Sequence, residues 1–429
     1  MKISRILAVL ALSVGVITAC KHSTNTALFD NFEWTEVVAT DFSAVDRWEP
    51  RAGLQAVEFN SQLYVIAGRT PLPPTPPDFN PFASQIHGDV WVSSDVGSTW
   101  YELLADAESE GLWKNRAYFE AVTTKDYIYI LGGQNFTTVL PPTAPDFQTV
   151  VLPSEFFKDV WRSSDGVNWE QMTSDAEWAT LSENCAQPGA TTQGRAGLSA
   201  VYFKGKIWVM GGSQGDDNSI GGGENCRQFY NDVWYSEDGV EWIQATGDAP
   251  WEARAGGVAL VKNGWLYYMG GEKGFVAETD YFNDVWRSRD GANWQQVTGP
   301  SGAGWSPRPG HKCSVVGNNF VCMGGFGTPT NPSDIWVSGD GANWEQISDS
   351  PWNNDPTSSI FFCDPNKPDE LVCDNIRYDF DMLTYSYGNF GQQQAILTFG
   401  GDREVFFFVE GELNYLRVEN DVWRYGPPD

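Results

Sequence analysis

The stretch Asp159-Val-Trp-Arg-Ser-Ser-Asp-Gly-Val-Asn-Trp169 returns in close copies from Asp89, Asp232, Asp284 and Asp334, and in truncated form from Asp421. Six copies, roughly 50 or more residues apart, restrict the fold to a solenoid, an array or a propeller. Each copy opens on Val-Trp or Ile-Trp, residues suited to a pleated, half-buried strand. It then meets Ser-x-Asp-Gly, where Asp caps its own turn and Gly accepts a positive φ. A second short strand opened by Trp follows, so the unit is a β-hairpin with an aromatic on each arm.

A second unit precedes each hairpin, as in Arg195-Ala-Gly-Leu-Ser-Ala-Val-Tyr-Phe-Lys-Gly-Lys-Ile-Trp-Val-Met-Gly211-Gly212. Two apolar runs flank a Lys-Gly turn, which makes another hairpin. The pattern recurs from Arg51, Arg116, Arg254 and Arg308, always with 16 residues from Arg to the first of the closing pair, Ala67-Gly68 in one case and Gly-Gly in the others. Two hairpins per repeat make four antiparallel strands, which is one propeller blade. With their Gly-Gly doublets and spaced aromatics, residues 31 to 425 resemble the kelch-repeat family. That resemblance implies an all-β, six-bladed propeller over 31–429. The first copy's longer turn, Ser93-Ser94-Asp95-Val96-Gly97-Ser98-Thr99-Trp100, resembles the Asp-box of sialidase-type propellers, a turn that marks no active site. In the sixth repeat Thr384 stands where Arg is expected, and the fourth strand is missing after Asp421-Val-Trp423. Asn31-Phe-Glu-Trp34-Thr-Glu-Val37 supplies that strand from the amino end, so the ring is expected to close by pairing the two termini and leave no free sheet edge.

Met1-Lys-Ile-Ser-Arg5 followed by Ile6–Ile17 is a basic start and an apolar run too short to span a bilayer as a mature helix. It ends in Ile17-Thr18-Ala19-Cys20, which resembles the bacterial lipoprotein cleavage box. The resemblance implies a signal peptide at 1–19, lipidation of Cys20, a polar tether over 20–30 and, with Lys21 at the second mature position, an outer-membrane lipoprotein. Loss of Lys2 and Arg5 takes the formal charge from −29 to −31. Such an acidic chain repels nucleic-acid backbones and anionic membrane surfaces, so the membrane is met through the lipid alone and the propeller is expected to be monomeric. Six cysteines remain after Cys20, an even number in an oxidising compartment. Cys313 and Cys322 are equidistant from the Gly317-Asn318 turn, Cys363 and Cys373 share one insertion, and Cys185 and Cys226 lie in two loops of blade three. Three disulfides are favoured over a metal cluster, because no Cys-x-x-Cys occurs and nearby His is scarce.

Spacing within each hairpin barely varies, whereas two connections vary widely: strand two to strand three, and blade to blade. In an up-and-down blade both emerge at one end, which becomes the candidate binding face. Two similar Pro-rich loops there, Leu72–Phe79 and Leu140–Phe147, present Phe79 and Phe147 as a partner-binding clamp or tuck each Phe back onto its own loop. If the first strand is innermost, as the kelch resemblance implies, Arg51, Arg116, Arg195, Arg254 and Arg308 ring the channel mouth as an anion-binding funnel. The alternative is that each Arg ties adjacent blades by bonding backbone carbonyls and stacking on the Trp before it. A third feature, the insertion from Pro351 to about Tyr387, carries Asp364, Asp369, Asp374, Asp379 and Asp381 beside its two cysteines. These are hard oxygen ligands for calcium, as are Asp216 and Asp217, but without EF-hand spacing, so no cofactor is assigned. Of the 20 Trp residues, 18 occupy three repeated positions, which makes Trp architecture rather than a sugar platform.

The expected function is a cell-envelope lipoprotein whose loop-rich face binds a protein, peptide or glycan. The alternative is an enzyme similar to the periplasmic sialic-acid mutarotases of this fold class, an isomerase with a sugar acid at the Arg-lined mouth and Glu224 as a guess for the carboxylate. A copper radical oxidase resembling galactose oxidase lacks ligands, because only His22, His87 and His311 are present. A sialidase is disfavoured, since no nucleophilic Tyr with its paired Glu is identifiable from spacing.

Overall fold

The computed structural model describes residues 26–71, 84–136, 154–178, 194–215, 227–274, 280–299, 301–326, 333–353, 377–387, 393–402 and 418–428. Six antiparallel sheets, each with a run of four strands and that of blade 3 with a further short strand, Gln228–Phe229, form a six-bladed β-propeller. Blade 1 runs Gln55–Phe59, Gln62–Pro71, Ser84–Ser93 and Tyr101–Leu104, inside to outside. The first strands of blades 2 to 5 are Glu120–Thr123, Ala196–Phe203, Val258–Lys262 and His311–Val316. Blade 6 is built from Asp381–Tyr387, Gln393–Asp402, Val418–Gly426 and, outermost, Glu33–Val38. Each first strand lies against the first strands of the blades on both sides, including blade 6 against blade 1, so these strands form the innermost ring.

The ring closes as the termini require. Glu33–Val38 pairs antiparallel with Val418–Gly426, from Glu33 opposite Gly426 to Val38 opposite Val422, and Trp34 stacks on Tyr425 at 4.8 Å. This pairing covers the edge that Val418–Gly426 would otherwise offer to another chain.

The Ser-x-Asp-Gly turns of blades 2, 4 and 5 are tied the same way, that of blade 3 without the indole bond, and the chemistry explains why the motif repeats. The N–H of Gly166 donates to Ser163 Oγ at 2.9 Å, Asp165 Oδ1 accepts from the N–H groups of Val167 and Asn168, and Trp169 Nε1 donates to the Gly166 carbonyl at 3.0 Å. Gly166 has φ of 80° and a side chain there would strike the Tyr64 ring of blade 1, so the position admits only glycine. The hydrophobic core is six separate layers, each trapped between two neighbouring blades. In each layer the Trp before the first strand meets the Trp of the fourth strand edge-on, as Trp113 meets Trp169 at 5.8 Å.

The arginines of the repeat sit inside this architecture. Arg51, Arg116, Arg195, Arg254 and Arg308 are all buried. Each guanidinium clamps the Asp that opens its own blade's third strand: Arg51 on Asp89, Arg116 on Asp159, Arg195 on Asp232, Arg254 on Asp284 and Arg308 on Asp334. The same Asp accepts the indole N–H of the Trp two residues on, 2.8 Å from Asp232 to Trp234. Each Arg also donates to the carbonyl of the first closing residue, 16 positions away, at 3.1 Å from Arg195 to Gly211. These contacts tie the incoming chain to its own blade, while neighbouring blades are joined by backbone bonds such as Gly133 N–H to the Arg195 carbonyl at 2.7 Å. An open ring of free guanidiniums is therefore not what the fold contains, because each charge is matched by a carboxylate and withdrawn from the channel.

Blade 6 has a sixth clamp that fixed spacing conceals. Arg377 pairs with Asp421 and donates to the Gly400 carbonyl, 23 residues away rather than 16. The additional seven residues lengthen the first hairpin, whose strands reach Tyr387 and resume at Gln393. Thr384 thus lies inside the first strand, where its hydroxyl donates to the Val315 carbonyl at 3.0 Å.

Candidate functional site at the channel mouth

The strand ends separate two poles. Turns between strands one and two and between strands three and four lie at a short-turn pole, whereas the ends of strands two and four and the starts of strands one and three lie at a loop pole. The widely varying connections all join strand ends at the loop pole, where the channel opens. The Arg51 to Gly53 step is repeated six times around this opening, and its third residue is left-handed in every blade: Gly53 (φ 60°), Tyr118 (55°), Gly197 (59°), Gly256 (62°), Gly310 (64°) and Asp379 (50°). The left-handed turn lets these backbones bond one another around the ring at five of the six junctions, the step from Gly256 to Gly310 excepted. Gly53 N–H donates to the Asp379 carbonyl (2.8 Å), Tyr118 to Gly53 (3.0 Å), Gly197 to Tyr118 (2.9 Å), Gly256 to Gly197 (2.8 Å) and Asp379 to Gly310 (3.2 Å).

Four of the six positions are glycine, which adopts this conformation freely, and two carry side chains at a cost of about 1–3 kcal/mol each. Those two converge across blade 1. The Tyr118 ring lies over Gly53, where an added Cβ would stand 3.1 Å from it, and the phenol and the Asp379 carboxyl are near enough to act on each other electrostatically. Arg69 Nε donates to the same phenol oxygen at 2.7 Å, and Arg69 forms an ion pair with buried Asp402 at 2.5 Å. Arg69 and Asp402 hold equivalent positions, one residue beyond the closing pair of blades 1 and 6, where the other blades carry Gln134, Ser213, Glu272 and Phe326. The backbone of the mouth is six-fold repeated, but its side chains are not. Burial raises both the Tyr118 phenol and the Asp379 carboxyl above their ordinary values, so the phenol remains a hydrogen-bond donor rather than a nucleophile.

Below the mouth the six first strands enclose a cavity of about 220 Å³. Its first inward level carries Gln55, Glu120, Ser199, Val258, Lys312 and Asp381. Most of these stitch one innermost strand to the next, satisfying edge groups that no fifth strand covers. Gln55 Oε1 accepts from Ala121 N–H at 3.1 Å, Asp381 Oδ2 accepts from Ala56 N–H at 2.6 Å and Ser199 Oγ donates to the Gly257 carbonyl at 2.5 Å. Lys312 reaches Asp381 at 3.2 Å across blades 5 and 6. Burial, reinforced by Asp381, pushes the Glu120 carboxyl up to about 8 despite Lys312 and the Ala200 N–H. Lys312 is held protonated in spite of its burial by Asp381 and Glu120.

Of the residues singled out by sequence, Asp379 lies at the mouth and Asp381 in the cavity, bonded to Lys312 and backbone rather than gathered around an ion. Among the described residues no group of three or more His, Cys, Asp or Glu is arranged to hold a metal. His87 bonds Thr70 Oγ1 at 2.8 Å, and His311 packs on Trp305 at 5.2 Å. Burial pushes both imidazoles down to about 3, so both are neutral. Cys313 and Cys322 are opposite each other in register and form a disulfide. Cys20, Phe79, Phe147, Glu224, Asp216, Asp217, Asp364, Asp369, Asp374 and the cysteines 185, 226, 363 and 373 lie outside the described residues. Arg69, Tyr118, Glu120, Lys312 and Asp402 were not anticipated. Tyr118 was readable as the one residue other than glycine two positions after the five evenly spaced arginines, whereas Arg69 and Asp402 become neighbours only when the ring closes.

No known protein family's sequence profile matches this chain, and no curated protein matches it. Among solved structures, that of YjhT is similar with a TM-score of 0.55 at 13% identity, covering 88% of this chain and 95% of that one. At that identity the likeness concerns the β-propeller fold.

Proposed function

We propose that the chain is a kelch-type propeller of the bacterial cell envelope, processed after residue 19 and lipid-anchored at Cys20, whose loop pole binds a protein, peptide or glycan. One observation carries this reading. The clamps, the core layers and the common turn are accounted for by folding, whereas the side chains that break the repeat, Arg69, Tyr118, Asp379 and Asp402, and the widely varying connections from strand two to strand three and from blade to blade fall at the loop pole. Sites on rigid scaffolds are built in this way, with a regular frame holding irregular loops. The test is a glycan and peptide array probed with the full chain and with Tyr118→Phe, Asp379→Asn and Lys204→Ala, the last at the short-turn pole. Ligands lost in the first two variants and kept in the third support the reading. Binding that only Lys204→Ala removes would sink it.

A second reading, an isomerase acting on a sugar acid, draws on the Glu120 carboxyl, which stays protonated up to about pH 8 beside a cationic Lys312 in an enclosed channel. Such a pair can deliver and recover a proton near neutral pH. It no longer draws on the five arginines. Anomer exchange of sugar acids followed by NMR, with the parent and Glu120→Gln, decides it: exchange that the variant leaves unchanged removes this reading.

A further inference from the structure

The chain enters the propeller at one pole, and that fixes where an anchor would pull. Glu33 pairs with Gly426 at the short-turn end of blade 6, so the strand Glu33–Val38 runs from the short-turn pole towards the loop pole. The residues before it stay at the short-turn pole. Phe29 is buried against Phe32 at 5.0 Å, and Phe32 meets Tyr425 at 5.3 Å. A Cβ added at Gly317, in the turn between strands one and two of blade 5, would stand 2.8 Å from Leu28. Thr26 is therefore held beneath blades 5 and 6, and six residue-to-residue steps separate it from Cys20, a span of roughly 20 Å at full extension. Reaching the loop pole along blade 6 would consume that whole span, since a six-residue strand is itself roughly 20 Å long.

A second observation points the same way. Among the described residues the exposed large apolar side chains are Leu28, Phe42, Val45, Tyr101, Val167, Tyr202, Val240 and Ile243. Leu28, Val167, Tyr202 and Val240 lie on or beside short turns, and Tyr101 and Ile243 open the fourth strands on the same side. Phe42 and Val45 alone lie at the loop pole, on the segment that follows Glu33–Val38. The five turn carboxylates Asp95, Asp165, Asp238, Asp290 and Asp340 share the short-turn pole, so the surface suits a neutral headgroup layer and is repelled by an anionic one.

We infer that the short-turn pole rests on the headgroup surface of the bilayer and that the channel mouth and its variable connections face away from it. This rests on the lipid anchor proposed above. The test reconstitutes the full lipidated chain in zwitterionic vesicles, with p-azidophenylalanine coupled to a fluorophore at Tyr202 in one sample and at Phe42 in another. Quenching by headgroup spin-labelled lipid is expected to be at least twofold stronger at position 202. Equal or reversed quenching in protein that floats with the vesicles overturns the orientation alone. A full chain that fails to float, and behaves as Cys20→Ser does, overturns the anchor and the orientation with it.

Discussion

The six arginine clamps and the mouth cluster use the same chemistry at the same pole, with Arg116 and Arg377 standing two residues before Tyr118 and Asp379, yet they do opposite things with it. In the clamps every guanidinium meets a carboxylate inside its own blade, and the arrangement is copied from Arg51 to Arg377. At the mouth, Arg69, Tyr118, Asp379 and Asp402 come from three blades and occur once, on a backbone that two of them distort. Repetition shows that a contact solves a problem every blade has. A contact made once, at the cost of backbone strain, answers a need belonging to the whole ring.

Removing residues 1–38 tests what every blade requires, and has the largest expected effect. Without Glu33–Val38 the strand Val418–Gly426 becomes a bare edge, and the protein should self-associate and lose its cooperative melt, read by light scattering and calorimetry. An unchanged mass and melt would show that closure is dispensable. Next comes Arg195→Ala, which strands a buried Asp232 and should cost about 3–5 kcal/mol in chemical denaturation. Replacing Cys313 and Cys322 by Ala opens a short hairpin loop, for which about 2–3 kcal/mol is expected. Tyr118→Phe keeps the left-handed backbone and removes only the phenol, costing about 1 kcal/mol. If it costs as much as Arg195→Ala, the distinction between clamp and mouth collapses.

The smallest effect is a pH dependence. A carboxyl whose folded pKa is raised keeps its proton in the native state after the unfolded chain has lost it, so stability falls as pH rises between the two values. For Glu120 that interval runs from about 4.5 to 8. His87 and His311, held neutral, act in the other direction only below about 6.5. Between pH 6.5 and 8 the Glu120 contribution therefore stands apart from theirs, and stability should decline there in the parent and stay flatter in Glu120→Gln. Identical slopes in the two proteins would show that the carboxyl is already ionised in the fold.

Blade number, the four strands of each blade, the closing role of Trp34 and the pairing of Cys313 with Cys322 were legible because each depends on short-range order: alternating strand residues, turn chemistry and equal distances from a turn. The sixth clamp was not, since an insertion of seven residues between Arg377 and Gly400 moves the arginine off the common spacing while the backbone that holds it is unchanged. The purpose of the repeated Asp at the head of Asp-Val-Trp was hidden for a different reason. Its partner Arg lies 26 to 44 residues earlier, and nothing local links them.

The order of residues alone determined the repeat, and through it the strands, the turns and the ring. Whether an arginine faced a ligand or a carboxylate, and which side chains met above the channel, was decided only when blades 6, 1 and 2 came together. A charge is assigned by its neighbours in space, and for Arg69 and Asp402 those neighbours stand 333 positions apart along the chain.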